Sequence, residues 1–500
     1  MKEEKIIPNY KMGCSLIKED FDIIPLYATF KSPDKNPLNL FKKYAFDEPY
    51  AFFLDSGKGP KEIANYSFMG KNPELIFKGK EDSIEIIKRD TIKKYKGNIV
   101  VELQNIIESK KIAKIEGLPS FSAGGVGYFS YEVAYLFEEL PNLSCDDLSL
   151  PEIFFLFTNE LIVYEHSKEL IYIIININKD SFSLNSYNEA KSRIKEIYNL
   201  LSCAEIKQYK KTDTFTDETN LKSNFSKDNF EKIVEKAKEY IKEGDIFQVN
   251  LSQRFESKIY EHPLKIYEIL RNINPAPFAS YLSLGNLKII SSSPERLVNV
   301  FKNKIQTRPI AGTRPRGKTI SEDSNLAEEL SLDAKERAEH IMLVDLERND
   351  LGRICEYGSV FVDELMILEK YSHVIHIVSN VVGKLKKGVK LFDILRATFP
   401  GGTITGTPKI RAMEIIEELE PVKRGPYTGS IGCLGYNGYI DLNIIIRTII
   451  IKNDTAYFQV GAGIVADSNP MREYHETLHK AEALIKTLSL VAKINESCIV

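Results

Sequence analysis

Short apolar runs separated by charged turns fill the first two hundred residues. Ala51–Leu54, Leu75–Lys78 and Glu160–Glu165 have strand length and strand-forming side chains. Leu170–Ile177 (LIYIIINI) is rich in β-branched residues and predicts a buried strand, followed by a helix over Ala190–Leu201. Apolar anchors then thin out across residues 206–228 (IKQYKKTDTFTDETNLKSNFSKD), which predicts a linker. Beyond it the period lengthens. Phe230–Glu243 is an amphipathic helix pattern stopped by Gly244. Further helices are predicted over Pro263–Asn272, Asp333–Leu346, Leu391–Thr398, Lys409–Glu418 and Glu473–Leu490. Strands are predicted over Phe247–Phe255, Lys288–Ser292, Asn443–Ile451 and Ala456–Val460. Strands and helices do not alternate in βαβ order, so an α+β fold is expected rather than a doubly wound sheet. The expected division is a domain over 1–205, the linker, and a second domain over 229–491.

Charge narrows the partners. Sixty-seven basic and seventy acidic residues leave a net −3, which gives no general attraction to nucleic acid or to an anionic membrane. The chain lacks an uncharged apolar run of membrane-spanning length, and its first residues, MKEEKIIPNYK, lack the apolar core of a signal peptide. Cys14, Cys145, Cys203, Cys355, Cys433 and Cys498 form no C-x-x-C pair, so reduced thiols in a cytoplasmic protein are expected.

Candidate chemistry sits in the second half. Glu336 and Glu339 lie three apart in KERAEH, and Glu473 and Glu476 lie three apart in REYHET. Residues three apart share a helix face. Two such helices could offer four carboxylates to a hard dication such as Mg2+, although a solvated face is the commoner use of this spacing. Gly461–Ala466 (GAGIVA) matches a dinucleotide-binding pattern, but Pro470 interrupts the helix that should follow, so a tight turn is expected. Gly401–Gly406 (GGTITG) precedes a helix start and could present backbone N–H groups to a carboxylate. Arg308, Arg314 and Arg316 crowd what reads as one loop, either solvated or paired with acids of the protein. Arg447 follows an apolar run, so it should be partly buried and need a carboxylate partner. His373 and His376 would face opposite sides of a strand. One could serve as a general acid or base, and a structural role is the commoner alternative.

Together these segments resemble the chorismate-utilising enzyme family. The resemblance is carried by GDIFQVNLSQR (244–254), SSPERL (292–297), RPIAGTRPRG (308–317), KERAEHIMLVDLERNDLGR (335–353), YSHVIHIVS (371–379), PGGTITGTPKIRAMEIIEELEP (400–421), YTGSIG (427–432), DLNIIIRT (441–448) and GAGIVADSNPMREYHETLHKA (461–481), and more weakly by FFLDSG (52–57), NYSFMG (65–70) and GGVGYFSYE (124–132). It implies an α+β sandwich of two antiparallel sheets flanked by helices, with the site in a cleft. By motif, Glu339 and Glu476 resemble direct Mg2+ ligands, and Glu336 and Glu473 water-bridged ones. His376 resembles the histidine near the departing 4-hydroxyl. Thr403, Tyr427, Arg447, Gly461, Gly463, Lys480 and Gln248 fall at substrate-binding positions, with His376, Glu336 and Thr403 the catalytic candidates.

The resemblance also implies a reaction. Water-adding members carry a lysine base where this chain has Gln248, so amination of chorismate is expected. The chain shows no Cys/His glutaminase signature, so ammonia would come from a separate glutamine amidotransferase subunit. Phe278-Ala279 replaces a Tyr-Met pair typical of the feedback-inhibited members, FFLDSG replaces LLES, and Asn65 replaces an arginine. Ser56, Asn274, Pro275 and Phe278 thus mark a tryptophan-pocket-like region, and the pattern leans toward the aminodeoxychorismate (4-aminobenzoate) branch. Ala311 in PIAGT excludes a lysine nucleophile there and keeps the anthranilate branch as the alternative.

Overall fold

The computed structural model describes residues 5–56, 64–89, 91–209, 221–371 and 374–496. Residues 210–220 of the expected linker, His373 and Cys498 lie outside the described residues. Where the expected linker begins, Tyr209 is anchored, its hydroxyl bonding Glu268 at 2.8 Å and its ring lying against Phe46 and His262.

Among the described residues the chain forms two antiparallel sheets of 12 strands each. The first runs from Ile23–Lys31 through Leu170–Asn178, Glu160–Glu165, Tyr66–Lys71 and Tyr50–Asp55. It continues through Phe278–Leu284, Leu287–Ser293, Thr448–Lys452, Thr455–Ile464 and Gln248–Lys258. The second runs from Ile310–Pro315 through Val374–Lys384, Lys304–Arg308, Arg296–Phe301, Ile440–Asn443 and Ser430–Gly435. It continues into Gly124–Phe129, Ile153–Phe157 and Leu75–Lys80. Each sheet takes strands from both sides of residues 206–228. Asp55 pairs with Ala279 in the first and Gly127 with Gly432 in the second.

The period of two along a strand divides the second sheet between two cores. Val126, Tyr128, Leu156, Ile431 and Cys433 face the first sheet and pack in one core with Phe52, Tyr281 and Ile289. Phe129, Phe155, Phe157 and Leu434 face the other way, onto helical residues such as Leu103, Val234, Leu351 and Leu395. The expected α+β sandwich is therefore the observed one.

Helix boundaries follow their caps. Ser226 starts Lys227–Glu243, and Gly244 ends it at φ 86°. Asp333 starts the long helix Ala334–Ile354 by accepting from the Lys335 and Glu336 N–H groups. The last helix, Pro470–Glu496, opens on proline. Leu391–Thr398 has the expected ends.

Three expectations are corrected. The strand expected over Asn443–Ile451 is two strands, Ile440–Asn443 in the second sheet and Thr448–Lys452 in the first, so residues 444–447 cross between the sheets. The apolar run gave no sign of that break. GAGIVA is no tight turn, because Gly461–Ile464 continue the strand Thr455–Ile464. The arginine-rich segment is no single loop, since Arg308 and Arg314 lie in two strands, and of the two uses left open the arginines take pairing with acids: Arg308 with Glu364 and Glu369, Arg314 with Glu329, Asp333 and Glu336, Arg316 with Asp323. Among the described residues no helix is long and apolar enough to cross a membrane, and every described cysteine is free.

Gly432 sits mid-sheet, where an added Cβ would lie 1.8 Å from the Asp441 carbonyl oxygen. Gly432→Ala is therefore expected to destabilise the fold by about 1–3 kcal/mol, read as a lower denaturant midpoint. An unchanged midpoint would show that the sheets do not meet there as described.

Candidate active site

The crossover at residues 444–447 is pinned on both sides. Ile444 N–H donates to the Glu295 carbonyl at 3.0 Å, Thr428 N–H to the Ile445 carbonyl at 2.8 Å, and Ser292 N–H to the Arg447 carbonyl at 3.2 Å. Arg447 itself takes a left-handed φ of 51°. Such a backbone is costly for a side-chain-bearing residue and persists where surrounding bonds hold it. Arg447 as a whole residue is partly exposed, and among the described residues no carboxylate lies at ion-pair distance from it. Burial holds its pKa below the usual arginine value, opposed by the charge of Glu295.

Glu295 is 5% exposed and accepts a hydrogen bond from the Thr403 hydroxyl at 2.9 Å. Burial pushes its carboxyl up to about 7, against the pull of Thr403, the Ile310 backbone, Arg447 and Lys480. Sequence reasoning quoted this residue within SSPERL without assigning it a role. The available signal was an acid two residues beyond a mostly buried strand, Leu287–Ser293.

His376 lies within the strand Val374–Lys384 and is 3% exposed. Its Nδ1 is 3.0 Å from the Thr313 hydroxyl and 3.3 Å from the Gly312 carbonyl, while its Nε2 is buried without a partner. Burial, aided by the positive charge of Arg447, pushes the imidazole down to about 4. It is therefore neutral at pH 7. A carbonyl only accepts, so the Nδ1 proton points at Gly312 and the Nε2 lone pair is left for a ligand.

The Gln248–Lys258 and Thr455–Ile464 strands build the opposite wall. A Cβ on Gly461 would meet the Asn250 amide oxygen at 2.4 Å and the Tyr427 hydroxyl at 2.9 Å. One on Gly463 would meet the Gln248 amide nitrogen at 2.7 Å. These two glycines bring Tyr427 and Gln248, both buried, against the strand. Lys480 reaches back from the last helix to the Gly461 carbonyl at 3.0 Å and also pairs with Glu476 at 2.8 Å.

The glutamates flank this wall. Gln248 donates to Glu339 at 3.4 Å. Burial raises the Glu339 carboxyl, and the neighbouring Glu336 charge adds to it. Burial likewise raises Glu473, with Glu476 adding to it. Lys335 and Lys480 both act on Glu339 and on Glu473, so carboxylates of the two helices share the same cations. Glu336 is held by Arg314 at 3.3 Å. Among the described residues no three His, Cys, Asp or Glu side chains close around one point as a ready metal cage. An all-oxygen, half-open donor set of this kind suits Mg2+, which usually takes one or two protein carboxylates and completes its octahedron with water and substrate oxygens.

The tryptophan-pocket-like residues lie at the ends of the paired strands Tyr50–Asp55 and Phe278–Leu284 and in the segment that leads into the latter. Ser56 N–H donates to the Ser67 hydroxyl at 3.2 Å, and Asn274 donates to the Ser292 hydroxyl at 3.3 Å. Pro275 is half-buried. The Phe278 ring lies 5.1 Å from the Arg296 guanidinium, and its carbonyl accepts from Asn443 at 3.2 Å. Buried Asp55 is occupied by Arg271, by Tyr267 at 3.2 Å and by Ser67 at 3.1 Å.

Comparison with known proteins fits this architecture. Residues 34–486 match the family described as chorismate binding enzyme, and the chain belongs to that family. It is 45% identical to anthranilate synthase component 1 of Acetivibrio thermocellus, over 96% of this chain and 98% of the relative. It is 43% identical to aminodeoxychorismate synthase component 1 of Bacillus subtilis, over 91% and 94%. The crystal structure of anthranilate synthase component I from Streptococcus pneumoniae superposes with a TM-score of 0.74 at 35% identity, covering 84% of this chain and 92% of that one. The chain is thus a chorismate-utilising enzyme.

The buried setting of His376 makes a direct test. Its imidazole is expected to titrate near pH 4 by NMR, and a midpoint at 6 or above would contradict the site geometry described here.

Proposed function

We propose that the chain aminates chorismate to 4-amino-4-deoxychorismate with Mg2+, using ammonia from a separate glutaminase subunit. The carrying observation is the charge arrangement. Arg447 and Lys480 offer two cations to a dianionic substrate, but four glutamates face the same wall. At close range in a half-buried cleft such repulsion is worth several kcal/mol, so a divalent cation between the carboxylates and the substrate restores balance. Glu339 and Glu476 would hold it directly, with Glu336 and Glu473 beside them. When bound, Mg2+ would stabilise negative charge on the ring carboxylate.

The chain's own residues supply the remaining chemistry. Arg447 and Lys480 bind the enolpyruvyl carboxylate. Glu295, poised near pH 7, gives its proton to the departing 4-hydroxyl, which leaves as water. His376 is neutral, so it accepts a hydrogen bond at Nε2 and orients the hydroxyl. Thr403 fixes the Glu295 carboxyl. Gln248 bonds Glu339 and has no basic atom with which to activate water, which favours ammonia as the nucleophile. Asp55, Asn65 and Phe278 support the 4-amino branch over a tryptophan-regulated one. Ala311 and the 45% identity to an anthranilate synthase component 1 favour the second reading, release of anthranilate.

Glu295→Gln is expected to lower kcat by about 10²–10⁴-fold, with KM for chorismate little changed. In the wild type, activity should fall as pH rises through about 7, where Glu295 loses its proton. Thr403→Val removes a bond that favours the ionised form, so that limb should move to higher pH. A limb that stays in place, or moves lower, would remove Glu295 from the acid role.

Glu339→Gln and Glu476→Gln should each abolish Mg2+-dependent turnover in a folded protein. Wild-type rates in either would show the metal assignment wrong. Product separation decides the branch. Chorismate, Mg2+ and ammonium salts, with no glutaminase present, should yield aminodeoxychorismate, whereas direct appearance of fluorescent anthranilate would establish the second reading.

A further inference from the structure

We propose that Arg314 is the positioning residue for Glu336, holding that metal-side carboxylate from the same strand that orients His376. The inference rests on the reading that the glutamate pairs bind Mg2+. It adds a residue that contacts neither substrate nor metal.

The geometry begins at a register shift. Between Ala311 and Thr313 the strand Ile310–Pro315 slips against Val374–Lys384, and Gly312 absorbs the slip at φ 62°. A Cβ on Gly312 would lie 2.9 Å from Leu330 Cδ1 and 3.1 Å from Glu336 Oε2, so the missing side chain lets the strand press onto the glutamate. The next two residues divide the work. Thr313 turns its hydroxyl to His376 Nδ1 at 3.0 Å. Arg314 turns toward the helix start.

Four of its five N–H donors are engaged there. Nε donates to Glu329 at 3.1 Å, Nη2 to Asp333 at 3.0 Å, and Nη1 to Glu336 at 3.3 Å and to the Thr313 carbonyl at 3.2 Å. Asp333 is the N-cap of the Glu336 helix, and its other oxygen accepts from the Lys335 and Glu336 N–H groups at 3.0 and 3.1 Å. One planar fork therefore fixes the helix cap, the end of the preceding helix Ile320–Leu332, and the carboxylate itself. Lysine, a point charge on a flexible stem, could satisfy only part of this set. Hydrogen-bonded partners of ligating carboxylates set their orientation, and removing them typically costs about 10–100-fold in metal affinity. Around this single cation stand three carboxylates, so the region keeps negative charge for a dication.

Arg316 supplies the control. It lies just past the end of the same strand, two residues from Arg314, and pairs with Asp323 and with the Tyr371 carbonyl, away from Glu336.

The test is Mn2+ binding to the intact chain followed by electron paramagnetic resonance, with thermal stability read in parallel. Arg314→Met should weaken Mn2+ binding by about 10–100-fold, and Arg314→Lys by less. Arg316→Met should lower Tm yet leave Mn2+ affinity unchanged. Wild-type or tighter binding in Arg314→Met, or an equal loss in Arg316→Met, would overturn the proposal. Should Arg314→Met not fold, unaltered affinity in Arg314→Lys would overturn it. Glu339→Gln separates the two claims. Normal affinity in that variant would sink the metal reading itself, whereas a loss there with normal affinity in Arg314→Met would sink only the role of Arg314.

Discussion

A guanidinium with no carboxylate at ion-pair distance among the described residues organises the site. Arg447 stands where the chain passes from one sheet to the other, in a left-handed backbone held by its neighbours' hydrogen bonds. A charge half out of water is tolerated when something opposite meets it. Glu295 meets it in part, yet Glu295 is itself pushed toward neutrality by burial. On the proposed reading the remaining demand is met by the anionic substrate, whose approach to the two glutamate helices would depend on a divalent cation. Charge balance thus ties together residues from both sheets and from helices more than a hundred positions apart.

Much of this was legible because local patterns and motifs agreed. The E-x-x-E spacings lie on helices, as their pattern predicts, whereas the glycines at 461 and 463, expected in a tight turn, lie in a strand and leave space for Tyr427 and Gln248. Other features were hidden by their tertiary origin. The break in the apolar run before Arg447 is invisible to periodicity, because residues on either side are equally apolar while belonging to different sheets. For the arginines of TRPIAGTRPRG the sequence left solvation and pairing with acids both open, because their partners, Asp323, Asp333, Glu364 and Glu369, lie on other elements. Glu295 looked like part of a motif. Its importance comes from the burial that raises its pKa and from Thr403, over a hundred residues away.

The scaffold serves more than one chemistry. Relatives described as anthranilate synthase component 1 and aminodeoxychorismate synthase component 1 stand at 45% and 43% identity. The menaquinone-specific isochorismate synthase of Escherichia coli keeps the fold at 16% identity and a TM-score of 0.68. A fold shared this widely does not by itself fix the product, which has to be argued from the site.

Calorimetric titration of chorismate into the wild-type chain, with ammonia withheld, addresses the charge account most directly. Affinity should collapse when Mg2+ is replaced by a chelator, since a dianion would then face the glutamate pairs unshielded. Equal affinity with and without the metal would mean that Arg447 and Lys480 suffice, and that the four carboxylates serve some other purpose.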